Sequence, residues 1–298
     1  MRIFVTGATG FVGAAVIQNL LTAGHQVLGL ARSEAAADKV RAAGAEPHRG
    51  ALDDLDSLRR GAAAADGVIH TAFIHDDFTN MAAAGVTDHA AIAAIGDALA
   101  GSDRPLIVSS AIGLLRVGRT IVETDRLEAH SSYRSASELT ALGLAARGVR
   151  ASVIRLPQVH GDGDYAFVPA LIKIAHAKRV SAYLGDGRNR WSAVHRFDAA
   201  ELYRLAVEAA PAGSVLHAVG EEGIATHDLA AAIGRGLDLP VASKPADEAA
   251  AHFGWIARFV AADMAASSTH TRALLGWAPH RKGLLEDLAH GTYFAAYK

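Results

Sequence analysis

The sequence predicts an α/β fold: a doubly wound parallel sheet of seven strands, with a smaller C-terminal substrate lobe. Three observations carry that expectation. Short apolar runs bounded by glycine alternate with alanine-rich stretches of helical period, the rhythm of successive βαβ units. The 29 glycines fall largely at the joints between those stretches rather than in a low-complexity segment. At 298 residues, a chain organised as one large α/β unit with a lobe buries about three quarters of its unfolded surface and needs no covalent staple.

Strands are predicted at residues 2–6, 26–30, 46–49, 67–71, 106–109, 151–155 and 215–219. Helices are predicted at 12–23, 52–63, 88–99 and 135–146, each ending near a glycine (Gly24, Gly67, Gly101, Gly148) suited to a left-handed C-cap. After Pro157 the rhythm changes, with Gly161-Asp162-Gly163 and Gly185-Asp186-Gly187 among less regular stretches. Residues 1–160 are therefore expected to form the main sheet domain and 161–298 mainly the smaller lobe, with segments near 194–220 returning to the sheet.

Composition excludes several classes of function. The net charge of −2 and the lack of a dense Lys/Arg run argue against a nucleic-acid or membrane-surface partner and for a small molecule. There is no cysteine, so thiolate chemistry and Cys-ligated zinc are impossible. The 15 histidines include no His-x-x-x-His or His-Glu-x-x-His pair, and no metal dependence is expected. The start of the chain lacks the features of a secretory signal, and no apolar stretch approaches the roughly 18 residues of a membrane span. A cytoplasmic protein is expected.

The most informative stretch is Gly7-Ala8-Thr9-Gly10-Phe11-Val12-Gly13, which follows the first strand and opens the first helix. In a Rossmann fold the first glycine of such a turn permits a tight bend, the second lets the backbone approach a pyrophosphate, and the third lets helix pack on strand. The helix N-terminus then faces the phosphates. At the end of the second strand, where an NAD binder usually carries a carboxylate for the adenosine ribose, the sequence reads Leu30-Ala31-Arg32-Ser33. Arg32 can pair bidentately with a 2′-phosphate and Ser33 can donate to it, so NADP(H) is the expected cofactor.

The Gly-x-x-Gly-x-x-Gly spacing behind Thr6 resembles the extended and atypical short-chain dehydrogenases/reductases, a group that includes epimerase/dehydratase-like enzymes. The resemblance continues through Val68-Ile69-His70-Thr71-Ala72, Val108-Ser109-Ser110, Ile154-Arg155-Leu156-Pro157-Gln158-Val159-His160-Gly161, Val194-His195-Arg196-Phe197-Asp198 and Leu275-Gly276-Trp277-Ala278-Pro279. It implies that Leu52 and Asp53 border the adenine, although Ala51 stands where an aspartate is frequent. It further implies that Thr71, Ala72, Ser109 and Pro157 lie along the rest of the cofactor, and that the protein dimerises through the helices after strands four and five.

The usual Tyr-x-x-x-Lys pair of this superfamily is absent. Within Glu128-Ala129-His130-Ser131-Ser132-Tyr133-Arg134-Ser135-Ala136-Ser137-Glu138 two registers compete. Tyr133 as proton donor leaves Ser137 in the lysine position. His130 and Arg134 instead give His-x-x-x-Arg, which resembles an atypical subgroup of the superfamily, and this register is preferred. Histidine exchanges protons near neutrality and arginine keeps a fixed charge, and a spacing of four places both on one helix face. A competing signature, Ser135-x-x-Glu138, reads as a capping box that starts the helix at Ser135 and leaves His130 in a loop. Ser110 is the expected substrate-orienting hydroxyl.

His75, Asp76, Asp77 and Phe78 follow strand four, and with His160, Phe167, Trp191 and Trp255 are expected to line an apolar pocket with a few polar groups. The expected activity is NADPH-dependent reduction of a small hydrophobic ketone or aldehyde. The alternatives are a nucleotide-sugar epimerase or dehydratase, in which Arg190 and Arg196 hold a diphosphate, and a catalytically silent NADP(H)-binding regulator.

Overall fold

The computed structural model describes the whole chain except residues 76–80, 116, 130, 131, 133 and 298. Twelve strands appear among the described residues. They are β1 (Arg2–Thr6), β2 (Gln26–Ala31), β3 (Glu46–Arg49), β4 (Gly67–His70), β5 (Pro105–Ala111), β6 (Arg150–Leu156), β7 (Gln158–His160), β8 (Ser181–Leu184), β9 (Arg190–His195), β10 (Val215–His217), β11 (Glu221–Ala225) and β12 (Val241–Lys244). Seven form one sheet in the order β10-β6-β5-β4-β1-β2-β3, and every pairing in it is parallel. The chain order reverses between β1 and β4, which makes their carboxyl ends the crevice of a doubly wound sheet.

Alternation along the strands divides the core. Ile3, Val5, Ile69, Ile107 and Ile154 face one side, where they pack on α1 (Phe11–Thr22) and, later in the chain, on the helix Arg196–Ala209. Phe4, Val68, Leu106, Val108 and Val153 face the other side, under α3 (Leu55–Ala63), α4 (Met81–Leu99) and α5 (Ser135–Gly143); α2 (Glu34–Ala42) covers the β2–β3 edge. Burial on both faces is why these strands read as nearly continuous apolar runs. A third core around Trp191, Leu229, Phe253 and Leu284 fills the region built by α6 (Phe167–Lys178), α8 (Thr226–Leu237) and the small sheets β11-β9-β7 and β12-β8; the helix Arg196–Ala209 is α7. The strands of these small sheets are three to six residues long and lie in the stretch after Pro157 where the regular alternation ends.

Four local expectations are corrected. The helix expected at 52–63 starts at Leu55, because the Asp54 side chain accepts from the Ser57 amide at 3.0 Å and caps it there. The helix expected at 88–99 starts earlier, at Met81. Gly67 is no C-cap: it opens β4, where a Cβ would stand 2.7 Å from Pro105 Cγ. The capping box at Ser135-x-x-Glu138 does not form. Ser135 Oγ instead accepts from the Ser132 amide at 2.9 Å, and Glu138 turns into the core.

There Glu138 pairs with Arg155 from β6; both side chains are essentially unexposed. Arg155 spends its remaining donors on the Asp125 carbonyl at 2.9 Å and His217 Nε2 at 3.4 Å, while His217 Nδ1 reaches the Ser267 carbonyl at 2.8 Å. Burial lowers the His217 pKa to about 4, which keeps Nε2 available as the acceptor for Arg155. Glu138→Ala strands a buried guanidinium, and urea denaturation is expected to show a loss of roughly 3–5 kcal/mol, the cost of breaking a buried pair.

Candidate functional site

A cleft of about 1370 Å³ opens at the carboxyl ends of β1, β4 and β5. One half is walled by the glycine turn with Arg32, Leu52, Asp53, Thr71 and Ala72; the other is walled by Phe167, Trp191, Trp255, Phe259 and Met264. Ser110, Arg134 and Pro157 lie among the remaining wall residues.

Each glycine of the turn answers a different constraint. Gly7 has φ +68°, and a Cβ there would lie 2.7 Å from the Ala72 amide nitrogen and from Thr71 Oγ1, so the β4 end forbids a side chain. A Cβ on Gly13 would meet the Gly7 carbonyl oxygen at 2.0 Å. Gly10 differs: its backbone is ordinary (φ −78°), and a Cβ would meet only the Gly7 oxygen, at 3.2 Å. Its side-chain space is open toward the cleft. Helix α1 has Gly10 as N-cap, no side-chain cap and no acidic residue in its first turn. Bare amides and a positive helix end suit an anion. Thr9, Phe11 and Val12 complete this wall, with Phe11 under the Arg196 guanidinium at 5.1 Å.

Arg32 is exposed where β2 leaves the sheet, and it borders the cleft. Glu34 just beyond it turns to Arg41 at 2.9 Å and Arg49 at 3.6 Å. Ser33 is not on the cleft wall. Its Oγ accepts from the Ala36 amide at 3.2 Å and caps α2.

The alternation of β5 separates two neighbouring serines. Ser109 Oγ donates to the His70 carbonyl at 2.9 Å and lies 2.6 Å from the Tyr203 hydroxyl, so this hydroxyl is committed to the core although the residue lines the cleft. Ser110 points the other way; its Oγ is buried and has no hydrogen-bond partner among the described residues. The Thr71 hydroxyl is also committed, donating to the Thr6 carbonyl at 2.7 Å.

Arg134 is 8% exposed and borders the cleft. Its Nη2 donates to the Ser109 carbonyl at 2.7 Å, and its Cζ stands 4.2 Å from the centre of the Phe73 ring. Nε faces Asp88 Oδ2 at 3.9 Å. Burial raises the Asp88 pKa, but the His70 hydrogen bond and the Arg134 charge outweigh it and hold the carboxyl below the usual aspartate range. Arg134 is the N-cap residue of α5, which begins at Ser135. His130, Tyr133, Asp76, Asp77 and Phe78 lie outside the described residues.

Some expected pocket residues are elsewhere. His160 is fully buried away from the cleft, with Nδ1 2.9 Å from Asp287 Oδ2. Arg190 is bound to Asp263 at 2.9 Å and Arg196 donates to the Asp162 carbonyl at 2.9 Å, and neither lines the cleft. His75 does line it, beside Phe73. Sequence reasoning missed Asp88, His70, Phe73 and Asp164. The available signal for Asp88 was a lone carboxylate inside an alanine-rich helical stretch. Asp164 also lines the cleft, and its pKa is pushed up by burial, partly offset by the Ala166 amide and the Tyr293 hydroxyl.

A model of the NAD-dependent epimerase/dehydratase family matches residues 3–218. The chain belongs to that family. An uncharacterised protein of Schizosaccharomyces pombe is 50% identical over 296 residues, covering 99% of this chain and all of that one. The 4-hydroxy-2-methyl-3-oxo-4-farnesyl-3,4-dihydroquinoline-1-oxide ketoreductase of Stigmatella aurantiaca is 30% identical over 231 residues, covering 72% of this chain and 67% of that protein. A solved dTDP-glucose 4,6-dehydratase from Streptomyces venezuelae with NAD bound superposes at a TM-score of 0.78 and 17% identity, over 99% of this chain and 97% of that one.

As a member of the NAD-dependent epimerase/dehydratase family, the chain needs a place for a nicotinamide dinucleotide. The residues fit one: Gly10 leaves room at the uncapped N-terminus of α1, and the cleft runs from there to Ser110 and Arg134. No helix among the described residues is long and apolar enough to cross a membrane. Gly10→Val is expected to melt near the wild-type temperature while losing NADPH and NADH binding in fluorescence titration, because its Cβ branches fill the phosphate approach. Gly13→Val is expected to lose the fold as well.

Proposed function

We propose that the protein is an NADPH-dependent reductase of a small, hydrophobic ketone or aldehyde. The observation that carries this reading is that a buried arginine, Arg134, and a buried serine whose hydroxyl has no partner among the described residues, Ser110, both border the cleft. A buried hydroxyl without a partner costs free energy that a ligand oxygen recovers.

The nicotinamide, when bound, supplies the hydride. Ser110 Oγ–H donates to the substrate carbonyl oxygen. Arg134 keeps a fixed positive charge beside the ribose and opposes the negative charge that develops on that oxygen. The proton comes from His130, with Tyr133 as the alternative donor. Phe167, Trp191, Trp255 and Phe259 exclude water and hold the apolar part of the substrate, so residues 161–298 serve mainly as the substrate lobe.

NADPH is favoured by Arg32 on the cleft wall and by the engagement of Glu34 with Arg41 and Arg49, which draws its carboxylate toward cations rather than a 2′-phosphate. Carbonyl reduction draws support from the ketoreductase relative. The diphosphate of a nucleotide sugar is disfavoured, because Arg190 is held by Asp263 and Arg196 by Asp162, both off the cleft. We place the protein in the cytoplasm. Exposed Val86 on α4 and Leu139 on α5 support homodimerisation through those helices.

Incubation with NADPH and a panel of hydrophobic aldehydes and ketones is expected to consume the cofactor, and Arg134→Met to lower kcat by about a hundredfold or more, as for loss of an oxyanion-stabilising group. Tight NADPH binding with no turnover of any carbonyl would instead favour the silent regulator. Arg32→Glu is expected to reverse the preference from NADPH to NADH, since a carboxylate there repels the 2′-phosphate. Wild-type protein that binds NADH more tightly than NADPH would overturn the cofactor assignment.

A further inference from the structure

We propose that Asp88 is a positioning residue whose buried carboxylate holds the Arg134 guanidinium at the reaction end of the cleft, with His70 and Thr6 fixing that carboxylate in turn. This rests on the reading of Arg134 as the site's fixed charge.

Asp88 sits on α4 at 1% exposure, among alanines and isoleucines. A carboxylate in that setting is costly unless it is hydrogen-bonded and paired. Its Oδ1 lies 3.0 Å from His70 Nε2, and His70 Nδ1 lies 2.9 Å from Thr6 Oγ1, with all three side chains buried. Thr6 Oγ1 in turn accepts from the Ala72 amide at 3.4 Å. With the ring proton on Nε2, His70 donates to Asp88 and accepts from the Thr6 hydroxyl, and each donor in the chain then has one acceptor. The chain starts where β1 enters the glycine turn.

This anchoring of Oδ1 leaves Oδ2 facing Arg134 Nε at 3.9 Å, beyond a hydrogen bond, with the Ser137 hydroxyl of α5 also acting on the carboxyl. That distance supplies charge without a hydrogen bond. The guanidinium is therefore located by three contacts: the Ser109 carbonyl, the Phe73 face and the Asp88 charge. Nε, itself buried, faces Asp88 without a hydrogen-bond partner among the described residues. A pair serving stability alone would be expected to close the remaining distance and satisfy both atoms, as Glu138 and Arg155 do.

The test uses the full chain with Asp88→Asn, Arg134→Met and the double variant, reading the NADPH dissociation constant by fluorescence titration, kcat and KM on a carbonyl that the wild type reduces, and thermal melting. Asn keeps the acceptor for His70 but removes the charge. Asp88→Asn is expected to weaken NADPH binding about tenfold and to lower kcat with little change in carbonyl KM. In the Arg134→Met background it is expected to add nothing, because Asp88 acts through Arg134. Additive losses, or normal NADPH binding by Asp88→Asn while Arg134→Met is impaired, would overturn the positioning role alone. Wild-type behaviour of Arg134→Met would overturn both this role and the catalytic reading of Arg134. Should Asp88→Asn fail to fold, His70→Gln tests the same chain one link farther, with a smaller loss that must also vanish in the Arg134→Met background.

Discussion

The site depends on how closely two strand ends meet. Where β1 stops, the chain turns within van der Waals contact of the first residues after β4, and Gly7 has no room for even one carbon beside Ala72 and Thr71. The same crowding brings Gly13 onto the Gly7 carbonyl, which starts α1 at once and leaves its first amides uncapped. Close packing beneath the turn and open space at Gly10 above it have one cause. The backbone is pressed down at its two ends, and its middle is bare toward the cleft.

The next strand continues the logic. Because β5 is buried on both faces, its alternation sends Ser109 into the core against Tyr203 and Ser110 toward α5 and the site. Arg134 enters from the start of α5 and ties itself to the Ser109 carbonyl, so the core serine's backbone supports the site while its hydroxyl supports the fold. Electrostatics follow geometry here. A guanidinium this dry requires a counter-charge, and Asp88 supplies it from the helix that covers the neighbouring strand.

Much of the fold was legible in the sequence because its signals are local. The seven strands of the main sheet lie within two residues of their expected bounds, and the glycine turn lies at the β1–β4 reversal. The errors arose where a longer-range contact outweighed a local one. Glu138 matched a capping box yet formed an ion pair with Arg155, seventeen residues away in sequence. Helix α5 begins at Ser135, where Ser135 Oγ accepts from the Ser132 amide, so Arg134 stands before the helix rather than within it. Ser109 and His160 carried motif-like positions, yet the Ser109 hydroxyl is spent on His70 and Tyr203 and the His160 Nδ1 on Asp287. Asp88 was invisible for the same reason: its partners come from β4 and the start of α5, and no spacing rule connects them.

The central claim is that the two halves of the cleft meet at Arg134 and Ser110, with the cofactor reaching them from the glycine turn. The most direct measurement is a crystal structure with NADP⁺ bound. The account predicts the pyrophosphate at the amides of Gly10 to Val12, the 2′-phosphate against Arg32, and both the Arg134 guanidinium and Ser110 Oγ within hydrogen-bond reach of the nicotinamide riboside or of the carbonyl position beside its C4. A nicotinamide directed away from β5, with Arg134 touching only Ser109, Phe73 and Asp88, would contradict it.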